Sequence, residues 1–103
     1  MPLVTPYNEN EEVSYASYRQ LITYLIKNDL CDSFIVTGTT GEASLLSFDE
    51  RVNLIKTAVE TAKGHKPVIA GTGCASTWET VKLTREAEKL GVDLLCCIIY
   101  LFL

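Results

Sequence analysis

The sequence predicts an α/β fold with a parallel sheet, the N-terminal βαβαβαβ part of a (β/α)8 TIM barrel. Short apolar segments begin near residues 3, 33, 67 and 93, close to the repeat of roughly 30 residues that such a barrel uses. Between them lie stretches with helical apolar spacing, each opened by a serine that can cap a helix. The apolar segments run without polar alternation, as strands of a parallel sheet buried on both faces do. A whole barrel takes ~250 residues, so residues 1–103 read as a single incomplete barrel domain.

The elements follow in order. Leu3-Val4-Thr5-Pro6 reads as a short strand ended by proline, followed by a polar loop from Asn8 to Glu12. Ser14 opens a helix whose inner stripe is Tyr18, Leu21, Ile22 and Leu25, and Lys27-Asn28-Asp29 ends it. Phe34-Ile35-Val36 is the second strand. Ser47-Phe48-Asp49-Glu50 is a capping box for a helix with apolar positions Val52, Ile55, Val59 and Ala62, stopped by Gly64. Pro67-Val68-Ile69-Ala70 is the third strand, and Ser76-Thr77-Trp78-Glu79 is another capping box. Leu83, Ala87 and Leu90 form the inner face of that third helix, which Gly91 ends. The apolar run Leu94 to Leu103 is too short to span a membrane and reads as a buried fourth strand.

Composition narrows the function classes. The net charge of −4 and the lack of a Lys/Arg cluster argue against a nucleic-acid partner, because phosphate neutralisation needs a basic face. The N-terminus carries no basic region followed by an apolar stretch, which points to a cytoplasmic protein and no membrane partner. Cys31, Cys74, Cys96 and Cys97 sit at no zinc or redox spacing and read as buried thiols. The one histidine, His65, lies in a polar turn as a solvated residue, so neither a metal nor a cofactor is expected. Gly71-Thr72-Gly73 lacks the third glycine and the distant acidic residue of a dinucleotide-binding loop.

The chemistry concentrates in Gly38-Thr39-Thr40-Gly41-Glu42, which joins an apolar strand to a capped helix. Glycines let the backbone turn tightly and approach a ligand, and hydroxyls with neighbouring amides converge on a carboxylate or phosphate. The loop reads as a cradle for a small anion. In a parallel sheet Thr5, this loop and Gly71-Thr72-Gly73 open on one side, around one mouth.

Those three motifs, together with Leu46-Ser47, Glu50 and the Pro67–Gly73 segment, resemble the N-terminal part of the dihydrodipicolinate synthase / N-acetylneuraminate lyase family of pyruvate-dependent class I aldolases. The likeness covers residue 3 to about 95 and is nearest to the dihydrodipicolinate synthase branch. It implies a lyase that forms a Schiff base between a barrel lysine and pyruvate and adds the enamine to a small aldehyde. In that branch the aldehyde is aspartate semialdehyde and the product leads to diaminopimelate and lysine. Thr39 resembles the catalytic threonine that relays protons with a pair of tyrosines, and Thr40 the substrate-binding one that holds the pyruvate carboxylate. Glu42 resembles a structural carboxylate bonded to backbone amides. The family also implies a homo-oligomer.

The chain departs from the family after its fourth strand, where Thr-Pro-Tyr-Tyr-Asn is usual and Ile99-Tyr100-Leu101-Phe102-Leu103 stands; a frame shift after Ile98 or a truncation would account for this. Lys27, Lys56, Lys63, Lys66, Lys82 and Lys89 all fall on expected helices or their terminal turns, so none suits the imine-forming role and the isolated chain is expected to be inactive. In some members a lysine feedback site between subunits uses positions corresponding to Phe48, Arg51 and Glu79, of which Glu79 is the typical residue here. N-acetylneuraminate lyase or 2-keto-3-deoxy sugar acid aldolase activity would share these motifs, and a non-catalytic half-barrel binding module is the alternative from another class.

Overall fold

In the computed structural model, which describes residues 1–38 and 41–96, the chain folds as three helices packed along a three-stranded parallel sheet. Helix α1 spans Tyr15–Lys27, α2 Phe48–Ala62 and α3 Thr77–Leu90. Strands β1 (Phe34–Val36), β2 (Val68–Gly71) and β3 (Leu94–Cys96) lie in the order β1-β2-β3. Phe34 stands beside Val68, and Ile69 beside Leu94. Helix α2 follows β1 and α3 follows β2, each returning the chain, and both strand pairings are parallel, so the strand ends all point the same way.

The helix boundaries lie where the caps put them. Ser14 accepts from Ser17 N, Ser76 from Glu79 N, and Ser47 makes the reciprocal box with Glu50 at 3.1 and 2.8 Å. The box satisfies two otherwise unpaired amides, so Ser47→Ala is expected to cost about 1 kcal/mol, read as a lower urea midpoint at unchanged m. Gly91 closes α3 in the left-handed region at φ 88°.

Helix α2 sits between α1 and α3 and against β1 and β2. Its buried stripe is Arg51, Leu54, Ile55, Ala58 and Ala62, with Val52 and Val59 only half-buried. The expected stripe was thus rotated toward solvent by including the two valines and leaving out Leu54 and Ala58. Tyr18, Ile22 and Leu25 of α1 and Leu83 and Ala87 of α3 complete the core.

The N-terminal segment differs from expectation. Leu3 N donates to Ile35 O at 3.0 Å and Ile35 N to Met1 O at 2.9 Å, giving one parallel bridge, Pro2 beside Ile35, and no extended strand. Pro2 and Pro6 carry no N–H to continue the ladder, and Val4 is exposed. The sheet is also not covered on both faces. Phe34, Val36, Val68 and Ala70 are buried under the helices, whereas Ile35 and Ile69 on the opposite face are half-buried. Leu94 and Leu95 of β3 are exposed, not buried as expected; residues 97–103 of that expected strand lie outside the described residues. Among the described residues no helix is long and apolar enough to cross a membrane.

Candidate functional site

The C-terminal ends of β1 and β2 bring together Leu3–Tyr7, the pairs Thr37-Gly38 and Gly41-Glu42, and Gly71–Cys74. Thr39 and Thr40, the two expected site residues, lie outside the described residues. What the structure defines is the frame on either side of them.

That frame is built by close backbone approach. A Cβ on Gly41 would stand 2.9 Å from Leu3 O and 3.1 Å from Thr5 Oγ1, and a Cβ on Gly71 would stand 2.5 Å from Thr37 O. Both glycines thus let neighbouring stretches of this chain touch; for Gly41 the sequence suggested a tight turn and ligand approach instead. The left-handed turns fall instead on Thr37, at φ 52°, and Glu42, at φ 59°. Such angles are uncommon for residues with a side chain and are held by their surroundings.

Hydroxyls stitch the frame. Thr5 Oγ1 donates to Gly41 O at 2.6 Å, and Thr37 Oγ1 to Gly71 O at 2.7 Å, both in buried positions. Thr84 Oγ1 of α3 donates to Thr72 Oγ1 at 2.9 Å. Thr5, Thr37 and Thr72 thus tie the frame to Gly41, Gly71 and α3.

Glu42 departs from expectation. It is exposed and makes no side-chain cap to the short 3-10 turn Ala43–Leu45 that follows it. Its described partner is the Tyr7 hydroxyl, which donates to Oε2 at 3.4 Å. Partial burial first, then the nearby Glu42 carboxylate, raises the Tyr7 phenol above its ordinary value, so Tyr7 stays a proton donor there.

Sequence reasoning gave Arg51 no role in this frame. Its guanidinium is buried, with Nη2 donating to Gly71 O at 2.7 Å and Nη1 to Gly73 O at 2.8 Å and to Cys74 Sγ at 3.3 Å. The signal was available, because Arg51 stands three and four residues before Leu54 and Ile55 on the buried stripe. Phe48, Arg51 and Glu79 line a cavity of ≈ 160 Å³ beside Gly73 and Cys74. A larger groove of ≈ 410 Å³ lies at the opposite end of the strands, around Lys63, His65, Lys66 and Asp93. Barrel chemistry belongs to the C-terminal ends of strands, so that groove is not the candidate site. Cys31, Cys74 and Cys96 are half-buried free thiols, less enclosed than expected, and Cys97 is not among the described residues.

With this geometry established, the comparisons with known proteins agree on one family. A model described as the dihydrodipicolinate synthetase family matches residues 1–100. The 4-hydroxy-tetrahydrodipicolinate synthase of Bacillus subtilis strain 168 is 43% identical over 91 residues, which make up 88% of this chain and 31% of that protein. Among solved structures, the chloride-inhibited dihydrodipicolinate synthase of Acinetobacter baumannii complexed with pyruvate superposes with a TM-score of 0.91 at 36% identity, covering 98% of this chain and 34% of that one. N-acetylneuraminate lyase from Mycoplasma synoviae gives 0.91 at 29% identity, covering 99% of this chain and 36% of that one. This chain therefore spans about a third of the length of these relatives and matches the N-terminal third of a TIM-barrel fold.

Proposed function

The chain belongs to the dihydrodipicolinate synthetase family, and we propose that the loop after β1 is the pyruvate cradle of a 4-hydroxy-tetrahydrodipicolinate synthase-type lyase. The observation that carries this reading is the frame around residues 39 and 40, locked by Thr5 on Gly41 O and by Thr37 on Gly71 O. Thr40 holds the pyruvate carboxylate through its hydroxyl and amide, and Thr39 relays a proton. Residues 1–103 form one incomplete barrel domain in this reading, with the half-covered face of Ile35 and Ile69 turned to the barrel interior. The reaction condenses pyruvate with aspartate semialdehyde, toward diaminopimelate and lysine. A cytoplasmic homo-oligomer belongs to the same proposal.

The sister reading, N-acetylneuraminate lyase, shares the cradle and the fold. Among the superposed structures the identity is higher to the Acinetobacter baumannii synthase than to the Mycoplasma synoviae lyase, 36% against 29%, which favours the synthase.

Pyruvate titration of the isotopically labelled chain, followed by amide resonances, tests the cradle. Shifts confined to the amides of residues 38–41 and Gly71–Gly73 are expected, and Thr40→Val should weaken or remove them. A wild-type spectrum indifferent to pyruvate would overturn the assignment.

The imine-forming lysine is assigned outside these residues. Lys27, Lys56, Lys82 and Lys89 lie on helices, Lys63 caps α2, and Lys66, paired with Asp29 at 2.6 Å, precedes β2 at the end opposite the mouth. Borohydride added with pyruvate is expected to leave the intact mass of the 103-residue chain unchanged. A stoichiometric pyruvyl adduct would place the nucleophile within it.

A further inference from the structure

We propose that Arg51 is the positioning residue of the anion cradle, tying α2 to loop 71–74 and, through the Gly71 carbonyl, fixing where Thr37, at the entry to the cradle, stands. The proposal rests on the reading of that loop as a pyruvate site. The Gly71 carbonyl is the joint: it accepts from Arg51 Nη2 at 2.7 Å and from Thr37 Oγ1 at 2.7 Å. Thr37 and Gly38 lead directly into Thr39 and Thr40. Any shift of loop 71–74 is therefore passed to Thr37, the residue that leads into the cradle.

A cation is a costly choice at this place. Arg51 is 5% exposed, and among the described residues no carboxylate lies within ion-pair distance of it. It also stands in the first turns of α2, where the helix dipole disfavours positive charge and Asp49 and Glu50 compensate only from the exposed side. An apolar side chain would serve the helix and the core better. The guanidinium has a capability that an apolar group lacks. Its planar fork spans two carbonyls two residues apart, Gly71 O and Gly73 O, with charge-assisted bonds. Nε has no hydrogen-bond partner among the described residues, so the group is placed for its two Nη atoms. A lysine ammonium is a single point donor and cannot reproduce the span.

The test compares wild type, Arg51→Lys and Arg51→Met by pyruvate titration and by amide hydrogen exchange. Both variants are expected to bind pyruvate about tenfold more weakly or worse. The Gly41 and Ala43 amides, which bond to Gly38 O at 3.2 Å, should exchange about tenfold faster, while Ile22 and Leu25 of α1 keep their wild-type protection. A purely structural role would instead speed exchange everywhere and leave the affinity of the folded fraction unchanged. Wild-type affinity and exchange in Arg51→Lys would overturn the proposal, and this variant decides alone if Arg51→Met does not fold. If wild type itself ignores pyruvate, the cradle reading fails and exchange still decides: faster exchange confined to Gly41 and Ala43 supports Arg51 as the tie, and unchanged or uniform exchange overturns it.

Discussion

Gly71→Val is expected to abolish the native fold, and Gly71→Ala to cost about 3 kcal/mol, the upper end of the usual overpacking penalty. The reason is the neighbour that a new Cβ would meet. It would lie 2.5 Å from Thr37 O, 3.0 Å from Thr37 C and 3.2 Å from Gly38 Cα, all backbone atoms of the adjoining loop. A flexible side chain could swing aside; this backbone cannot, because Thr37 is held through its hydroxyl to Gly71 O. The two loops must separate, and β1 and β2 lose their joint end. Valine adds two further methyl groups to the same contact, against a total stability of roughly 5–15 kcal/mol for an ordinary domain. Gly64→Ala is the control: nothing lies within 4 Å of its Cβ position, and its φ of 79° leaves only a conformational cost of about 1 kcal/mol. Urea unfolding followed by far-ultraviolet circular dichroism measures both. Equal losses at the two positions would show that crowding at Gly71 is relieved at no cost.

Thr39→Val, made in a complete barrel that carries this segment, is expected to lower kcat about 100-fold with a much smaller change in KM. Valine keeps the volume and removes the hydroxyl, so a proton-relay role predicts a loss confined to the chemical steps. Thr40→Val should do the reverse, raising KM for pyruvate because the carboxylate loses a donor. The pair of substitutions separates relay from binding. An unchanged kcat in Thr39→Val would reduce Thr39 to a turn residue.

Much of the fold was legible because its signals are local. Serine at 14, 47 and 76 and glycine at 91 each satisfy or release backbone groups within one helical turn, and each marks a boundary that the structure keeps. The parallel sheet was legible from the spacing of apolar segments. The interior stripe of α2 was harder, since Val52 and Val59 satisfy the same period as Leu54 and Ala58, and only packing between α1 and α3 selects the latter. The first strand failed for a reason already in the sequence: Pro2 and Pro6 bracket too few donors for a ladder.

The candidate site was legible as a place more than as a geometry. The cluster of glycine and threonine located the mouth, while the roles of Gly41 and Gly71 depend on stretches more than 30 residues distant in sequence, which no local pattern encodes. Arg51 escaped because an arginine beside Asp49 and Glu50 looks like part of a solvated face. Its burial becomes readable only after the stripe of α2 is set in register.

Trp78, the only tryptophan of the chain, stands at the start of α3 with 72% of its surface exposed. Its indole is almost as hydrated in the native chain as in the unfolded one, so its fluorescence should change little during denaturation. The same exposure makes it a sensitive optical reporter of any second surface that settles over α3, where it shares one side of the helix with Val81, Lys82 and Arg85. A blue shift of that emission with rising protein concentration, at constant circular dichroism, would register association without any added label.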